Sequence, residues 1–332
     1  MPPISNPHDK LFKQIWSDRE TAKDFLVNYL PFEIGKLVDL NTLEIRKDSF
    51  IEPNLKEFFS DLLYSVSFGD QSGYIYLLFE HKSYPDKITG LQLLSYMCSI
   101  WKLQIKRERL PLPVIVPLVL YHGREKWSGS NDLYHLMGVT HKQLLAYIPD
   151  FSFILIDLSK YSDDQIKGAI LSRAGLLLLK HVFTPGYEKK LPEILSLLRT
   201  LLEKQTGLQY IETILRYILN TAEDMAVADL KNMVEKNLSA DQGEMIMTLA
   251  EKIKEEGIRQ GVEKGIQQGI QQGIRQGLIE AIEMGLHLRF GVEGYRIMAD
   301  IYRIEDINVL RAVKEAVKNV KTLDEIKIVI NR

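Results

Sequence analysis

The stretch that most constrains this chain runs from Phe58 to Ser83, FFSDLLYSVSFGDQSGYIYLLFEHKS. Two runs rich in Phe, Tyr, Val, Ile and Leu, 58–68 and 73–82, flank the turn formers GDQSG, and that pattern predicts a β-hairpin. With a loop over residues 69–72, Asp61 is expected directly opposite Glu80. Opposed residues of an antiparallel pair lie about 4.5–5.5 Å apart. Two carboxylates that close repel unless a proton or cation sits between them, and a divalent metal is the usual answer. Alternation puts Tyr76, Leu78, Glu80 and Lys82 on one face of the second strand, with Ile75, Leu77, Phe79 and His81 on the other. Lys82 therefore joins the acidic pair. Oxygen donors of this kind favour Mg²⁺ or Mn²⁺ over Zn²⁺. A lysine beside the metal can orient or deprotonate water and offset phosphate charge. The competing reading is a salt bridge without metal.

Residues 87–108 show helical spacing of apolar positions, and Gln92 and Tyr96, four apart, share a face. Gln92 could hold a carboxylate or a metal-site water and Tyr96 could reach a phosphate; an incidental polar pair is the plainer alternative. Lys102, Lys106, Arg107 and Arg109 follow on this helix. They suit either a solvated C-terminus with cations at its negative end or contact with DNA phosphates. VIVPLVLY, 114–121, is a buried-strand pattern in which Pro117 needs an edge or bulge. In the loop after it, Arg124 and Lys126 are phosphate-holding candidates, while His122 reads as a satisfied loop histidine.

Asp61, Glu80-His81-Lys82 and Gln92-x-x-x-Tyr96 together resemble the PD-(D/E)xK nuclease superfamily. The opening NPHDKLFKQIWSDRETAKDFLVNYLP, the block YIYLLFEHKS and VIVPLVLYHGREKW are similar to the recombination-promoting nuclease (Rpn), transposase-like family, over residues 5–240. That resemblance implies an α/β fold: a PD-(D/E)xK nuclease core, with a mixed central sheet flanked by helices, followed by helical C-terminal regions. It implies a Mg²⁺-dependent DNA endonuclease linked to recombination, with Mn²⁺ or Ca²⁺ as alternative ions. Asp61 and Glu80 would hold the metal, with Lys82, Gln92 and Tyr96 completing the catalytic set. Of the basic residues read above, Lys102, Lys106, Arg107 and Arg124 are the candidates for DNA contact, beside the plainer reading of a solvated helix end. Ser60 stands where the motif has proline, a departure at its least chemical position. The rival from another class is a non-catalytic DNA- or protein-binding assembly protein with a degenerate nuclease fold. The intact Asp, Glu and Lys argue against it.

The 332 residues, 45% hydrophobic, suffice for two or three domains, expected at 1–160, 161–245 and 246–332. A net charge of −2 argues against a DNA-coating protein but not against a local basic surface around an acidic site. The single cysteine, Cys98, excludes an intrachain disulfide. Without a signal-like start or an 18-residue apolar run, no membrane role and a cytoplasmic location are expected. Residues 6–30 read as helix with Asn6-Pro7 at its start and Ser17-Asp18 as a kink or second cap. His8 and Asp9 open that helix in a structural role, and Glu20 is a weaker extra-carboxylate candidate. Strands are expected at 43–51 and 151–158, the latter with Asp157 after its apolar run as a cap. From Ser162 to Glu235 the pattern is helical.

In residues 257–286, Gly or Ala recurs at every fourth position from Gly257 to Gly285, each followed by Ile, Val or Leu. At about 1 kcal/mol per Gly relative to Ala, this helix needs a partner surface. Small residues permit close helix approach, and a period of four drifts in the sense of right-handed winding. Homo-oligomerisation through 257–286 is the expectation, with packing on its own chain or a mobile linker as alternatives.

Overall fold

The predicted hairpin forms as β2 (Ser60–Phe68) and β3 (Gln71–Glu80), and a five-stranded sheet extends from it. The computed structural model describes residues 6–46, 60–80, 86–107, 109–139, 141–202, 207–222, 227–237 and 239–330. β1 (Val38–Arg46) pairs antiparallel with β2, and β4 (Val114–Tyr121) pairs parallel with β3 and with β5 (Ile154–Asp157). The strand expected at 43–51 begins earlier, at Val38; its expected end lies outside the described residues. Pro117 lies one residue before the β4–β5 pairing begins at Leu118, so its missing N–H interrupts no bond to β5.

Strand alternation gives the sheet two apolar faces. One carries Leu62, Tyr64, Val66, Ile75, Leu77, Leu118 and Leu120. It packs against α1 (Pro7–Trp16), α2 (Arg19–Tyr29) and α6 (Ile170–His181). The break between α1 and α2 is made by Asp18, whose carboxylate accepts from the Thr21 N–H at 2.9 Å. Trp16 is fully buried there and its carbonyl accepts from the buried Tyr64 hydroxyl at 2.9 Å. The other face, with Leu63, Tyr74, Tyr76, Leu78, Val119 and Tyr121, is covered by Leu93, Tyr96, Met97 and Ile100 of α4 (Thr89–Lys106). The short helices α3 (Phe32–Gly35) and α5 (Tyr134–Met137) lie in connections.

The described chain divides into two units, residues through Ile253 and residues from Lys254 on. In the first, α7 (Leu191–Leu202), α8 (Leu208–Thr221) and α9 (Val227–Asn237) join the same core as α1 and α6. Ile246, Ala250 and Ile253, from the start of α10 (Ala240–Phe290), belong to it too. The sheet and the helices that follow it thus share one continuous apolar interior.

In the second unit, Ile279, Ile282 and Leu286 of α10 pack with α11 (Met298–Tyr302), α12 (Ile307–Asn319) and α13 (Leu323–Ile330). Arg275 donates to the carbonyls of Ile304 at 3.1 Å and Tyr302 at 2.6 Å, and Arg289 to that of Val320 at 2.7 Å. The apolar column predicted for 257–286 is therefore split. Ile282 and Leu286 are buried by their own chain, while Ile258, Val262, Ile266, Ile270 and Ile274 are exposed. A Cβ at Gly265, Gly269, Gly273 or Gly277 would meet nothing within 4 Å.

One carboxylate ties the end of α6 to the start of α7. Asp163 accepts from His181 at 2.8 Å and Lys190 at 2.7 Å, and also from Lys180. Burial opposes its charge, but the bonds from Lys180, Lys190 and His181 outweigh that and hold its carboxyl well below the ordinary range. A depressed acid pKa stabilises the fold at pH above the unfolded value, and that stability is lost as pH falls through the folded value. Asp163→Ala is expected to cost about 1–3 kcal/mol at neutral pH. The gap to the parent should close in strong acid, as read by thermal melts across pH.

Candidate active site

The carboxyl ends of three parallel strands meet at one edge: Glu80 is in register with Tyr121, and Tyr121 with Asp157. The edges of such strands are where open α/β sheets place ligands. The hairpin turn decides what faces this edge. It is a two-residue turn, Gly69-Asp70, with Gly69 at φ 58° and Phe68 paired with Gln71. Glycine at the first central position is the type II′ pattern.

Because the turn is two residues rather than four, the expected pairing of Asp61 with Glu80 is not formed. Asp61 pairs with Leu78. Positions 61 and 80 still fall on the same sheet face, since 78 and 80 are two apart, but as diagonal neighbours at a Cα spacing of about 7–8 Å. Lys82 and His81 lie outside the described residues.

α4 runs back over this face. Its C-terminal part meets the start of β3, where the Gln104 amide donates to the Tyr74 hydroxyl at 3.1 Å, and Tyr96 packs on Tyr76 with ring centroids 5.3 Å apart. The N-terminal turns, carrying Gln92, therefore point toward the Glu80 end. Gln92 is half-buried, and its Oε1 is buried with no hydrogen-bond partner among the described residues. Tyr96 is almost fully buried. The face sharing of Gln92 and Tyr96 predicted from spacing is present, directed at the sheet.

The basic candidates separate. Arg124 follows β4 at the Glu80 edge, exposed, with its guanidinium 5.4 Å from the Phe183 ring centroid. Lys102, Lys106 and Arg107 sit beside Gln104, at the opposite end of the sheet. Glu20 is exposed and paired with Arg19 at 3.1 Å.

Asp157, though in register with this edge, is 2% exposed and engaged. It accepts from the Trp127 N–H at 3.1 Å and from the Ser159 N–H at 3.0 Å, which is the capping role expected of it. On the opposite sheet face, a histidine pair absent from the spacing analysis assembles. The His8 and His122 ring centroids are 5.1 Å apart; His8 Nδ1 bonds the Tyr217 hydroxyl at 2.9 Å, and His122 Nδ1 the Leu179 carbonyl at 3.1 Å. Burial drives the Tyr217 hydroxyl pKa well above its ordinary value. No sequence signal links residues 209 positions apart. Among the described residues, no group of three His, Cys, Asp or Glu side chains could hold a metal ion.

A mixed sheet with two antiparallel and two parallel pairings, helices on both faces and two acidic positions at one edge has the α/β architecture expected of a nuclease-like fold. Residues 6–209 match the family described as "Putative transposase, YhgA-like", and the chain belongs to that family. Among similar proteins of Escherichia coli K12, recombination-promoting nuclease RpnC is 34% identical over 261 residues, 77% of this chain and 83% of its own length. Recombination-promoting nuclease RpnA is 31% identical over 76% of this chain and 85% of its own. The inactive recombination-promoting nuclease-like protein RpnE is 30% identical over 77% and 84%. No solved structure matches the chain. No described helix is long and apolar enough to cross a membrane.

Since Gly69 alone in the turn has positive φ, Gly69→Val should cost about 1–2 kcal/mol. Urea denaturation measures this, and a neutral result would contradict the register assigned here.

Proposed function

We propose that this protein is a Mg²⁺-dependent DNA endonuclease of the recombination-promoting type, hydrolysing phosphodiester bonds at the edge marked by positions 61 and 80. The observation that carries the reading is the sharing of one sheet face by positions 61 and 80, at the start of β2 and the carboxyl end of β3, on the face over which α4 brings a Gln92 oxygen that is buried with no partner among the described residues. Two carboxylates at diagonal positions suit a hard cation, and the Gln92 oxygen suits a hydrogen of bound water. Mn²⁺ or Ca²⁺ would fit the same donors.

The ion, when bound, supplies charge stabilisation at the phosphate and a more acidic water. Asp61 and Glu80 would hold it. Lys82 would orient the attacking water and offset phosphate charge, the Gln92 carboxamide would fix that water, and the Tyr96 hydroxyl would reach a phosphate oxygen. Arg124 would contact DNA near the cut, and Lys102, Lys106 and Arg107 would contact it at the far end of the sheet. The name of one relative, an inactive nuclease-like protein, favours a second reading: a non-catalytic DNA- or protein-binding assembly protein. The retained Asp61, Glu80 and Lys82 weigh against it.

Asp61→Ala and Lys82→Ala are each expected to lower Mg²⁺-dependent plasmid cleavage by about a thousandfold or more while melting temperature is retained. EDTA should do the same to the parent. Cleavage that persists in both variants leaves only the binding reading.

The exposed column from Ile258 to Ile274 supports a homo-oligomer through the 257–286 helix, which would bring two sites to one DNA. Exposed apolar patches of this length mark interfaces, and the open glycines leave room for a second helix. Val262→Glu, Ile266→Glu and Ile270→Glu combined in the full chain should reduce the mass seen by light scattering. An unchanged mass refutes assembly through this column.

A further inference from the structure

Among the described residues, the sheet face that holds positions 61 and 80 is only partly covered. α4 packs over Leu63, Tyr74, Tyr76 and Leu78. Toward the hairpin turn the same face becomes polar, with Ser65 and Ser67 of β2 alternating with buried Tyr64 and Val66. β1 extends this strip with Arg46 paired opposite Leu63 and Glu44 opposite Ser65. Arg46 is therefore one face position from Asp61. The strip ends in a cavity of about 800 Å³, lined among others by Ser67, Gln71, Gln104, Arg109 and Val114.

The lining points to a ligand class. Among the described lining residues, Arg46 and Arg109 are matched by Glu44 and Asp70, which leaves no excess positive charge for a phosphate. The uncharged polar groups beside them are amides and hydroxyls, the equipment for reading the edge of a base. Gln104 is 3% exposed and held by the Tyr74 hydroxyl at 3.1 Å, so its carboxamide meets the cavity in a fixed orientation. Val114 and Leu112, both exposed at the rim, offer an apolar surface to a flat ring. Gly73 also lines the space; a Cβ there would come within 2.8 Å of the Val114 carbonyl oxygen and 2.6 Å of the Phe68 ring.

We infer that this cavity holds one unpaired nucleobase of the substrate strand, reached by a single strand that runs from positions 61 and 80 along the exposed Arg46 and Glu44 of β1, beside the covered Leu63. The inference rests on the nucleic-acid reading proposed above. From position 61 to 67 along β2 is on the order of 20 Å. That is about six nucleotides at the B-form spacing of 3.4 Å and fewer in an extended strand. A base inside a duplex would first have to leave its stack, at a cost of a few kcal/mol, so the cavity selects single-stranded or frayed DNA beside the cut.

The test is fluorescence anisotropy of the full chain in EDTA with a labelled single-stranded oligonucleotide, an abasic strand of the same length and charge, and the matching duplex. The base-bearing strand should bind about tenfold or more tightly than the abasic one, the share of a single held base, and the duplex should bind more weakly than the single strand. Gln104→Leu, and independently Ser67→Trp, which fills the cavity from a partly exposed strand position, should erase the preference for bases while leaving the affinity for the abasic strand unchanged. Equal binding of base-bearing and abasic strands, or equal weakening of both by the variants, overturns the inference. Binding is read without metal, so the two readings fail separately. Base-dependent binding with no plasmid cleavage sinks the nuclease reading and keeps the cavity. Cleavage without base-dependent binding sinks the cavity alone.

Discussion

Gly69 and Asp70 close the β2–β3 hairpin in two residues, and that count decides which side chains every later element meets. β3 is buried on both faces, with Ile75 and Leu77 against the α1, α2 and α6 side and Tyr74, Tyr76 and Leu78 against α4. A shift by one residue would exchange these sets and move positions 61 and 80 to opposite faces. The burial of two apolar cores against one strand is what pins the register. Full burial of an aliphatic or aromatic side chain is worth about 1.5–3 kcal/mol, and a slip would forfeit several at once.

Around the Glu80 edge the buried polar groups are largely committed to holding the scaffold. Asp157 is engaged by the Trp127 and Ser159 amides, and His122 by the Leu179 carbonyl. Each bond answers the cost of burying a polar atom. Positions 61 and 80 lie, like Asp157, on the face that α4 shares, where the Gln92 oxygen is buried with no partner among the described residues.

The long helix α10 combines two physical regimes. Its two ends are ordinary, with Ile246, Ala250 and Ile253 in one core and Ile279, Ile282 and Leu286 in another. Between them the glycine column has open space around it and the isoleucine column faces solvent. Propensity alone would make this stretch the weakest part of the helix, so its sequence makes sense as a surface rather than as a spacer.

Much of this was legible from residues alone, because local patterns carry it. Alternation and turn formers located the hairpin, apolar periodicity located α4, and Asp18 and Asp157 read correctly as caps. The shared face of Asp61 and Glu80 also followed from period-two geometry, which survives an error of two in register. The exact pairing did not: GDQSG admits both a two- and a four-residue turn, and since the two leave every side chain on the same face, alternation does not choose between them, whereas the structure has the shorter. The split of the isoleucine column was equally hidden, since a helix pattern does not say which of its turns a later segment will cover. The His8–His122 pairing lay further out of reach, because it brings together groups with no local relation. Sequence determined the strands, helices and acidic positions, for those depend on near neighbours; tertiary structure decided register, coverage and long-range polar contacts, for those depend on which surfaces are buried together.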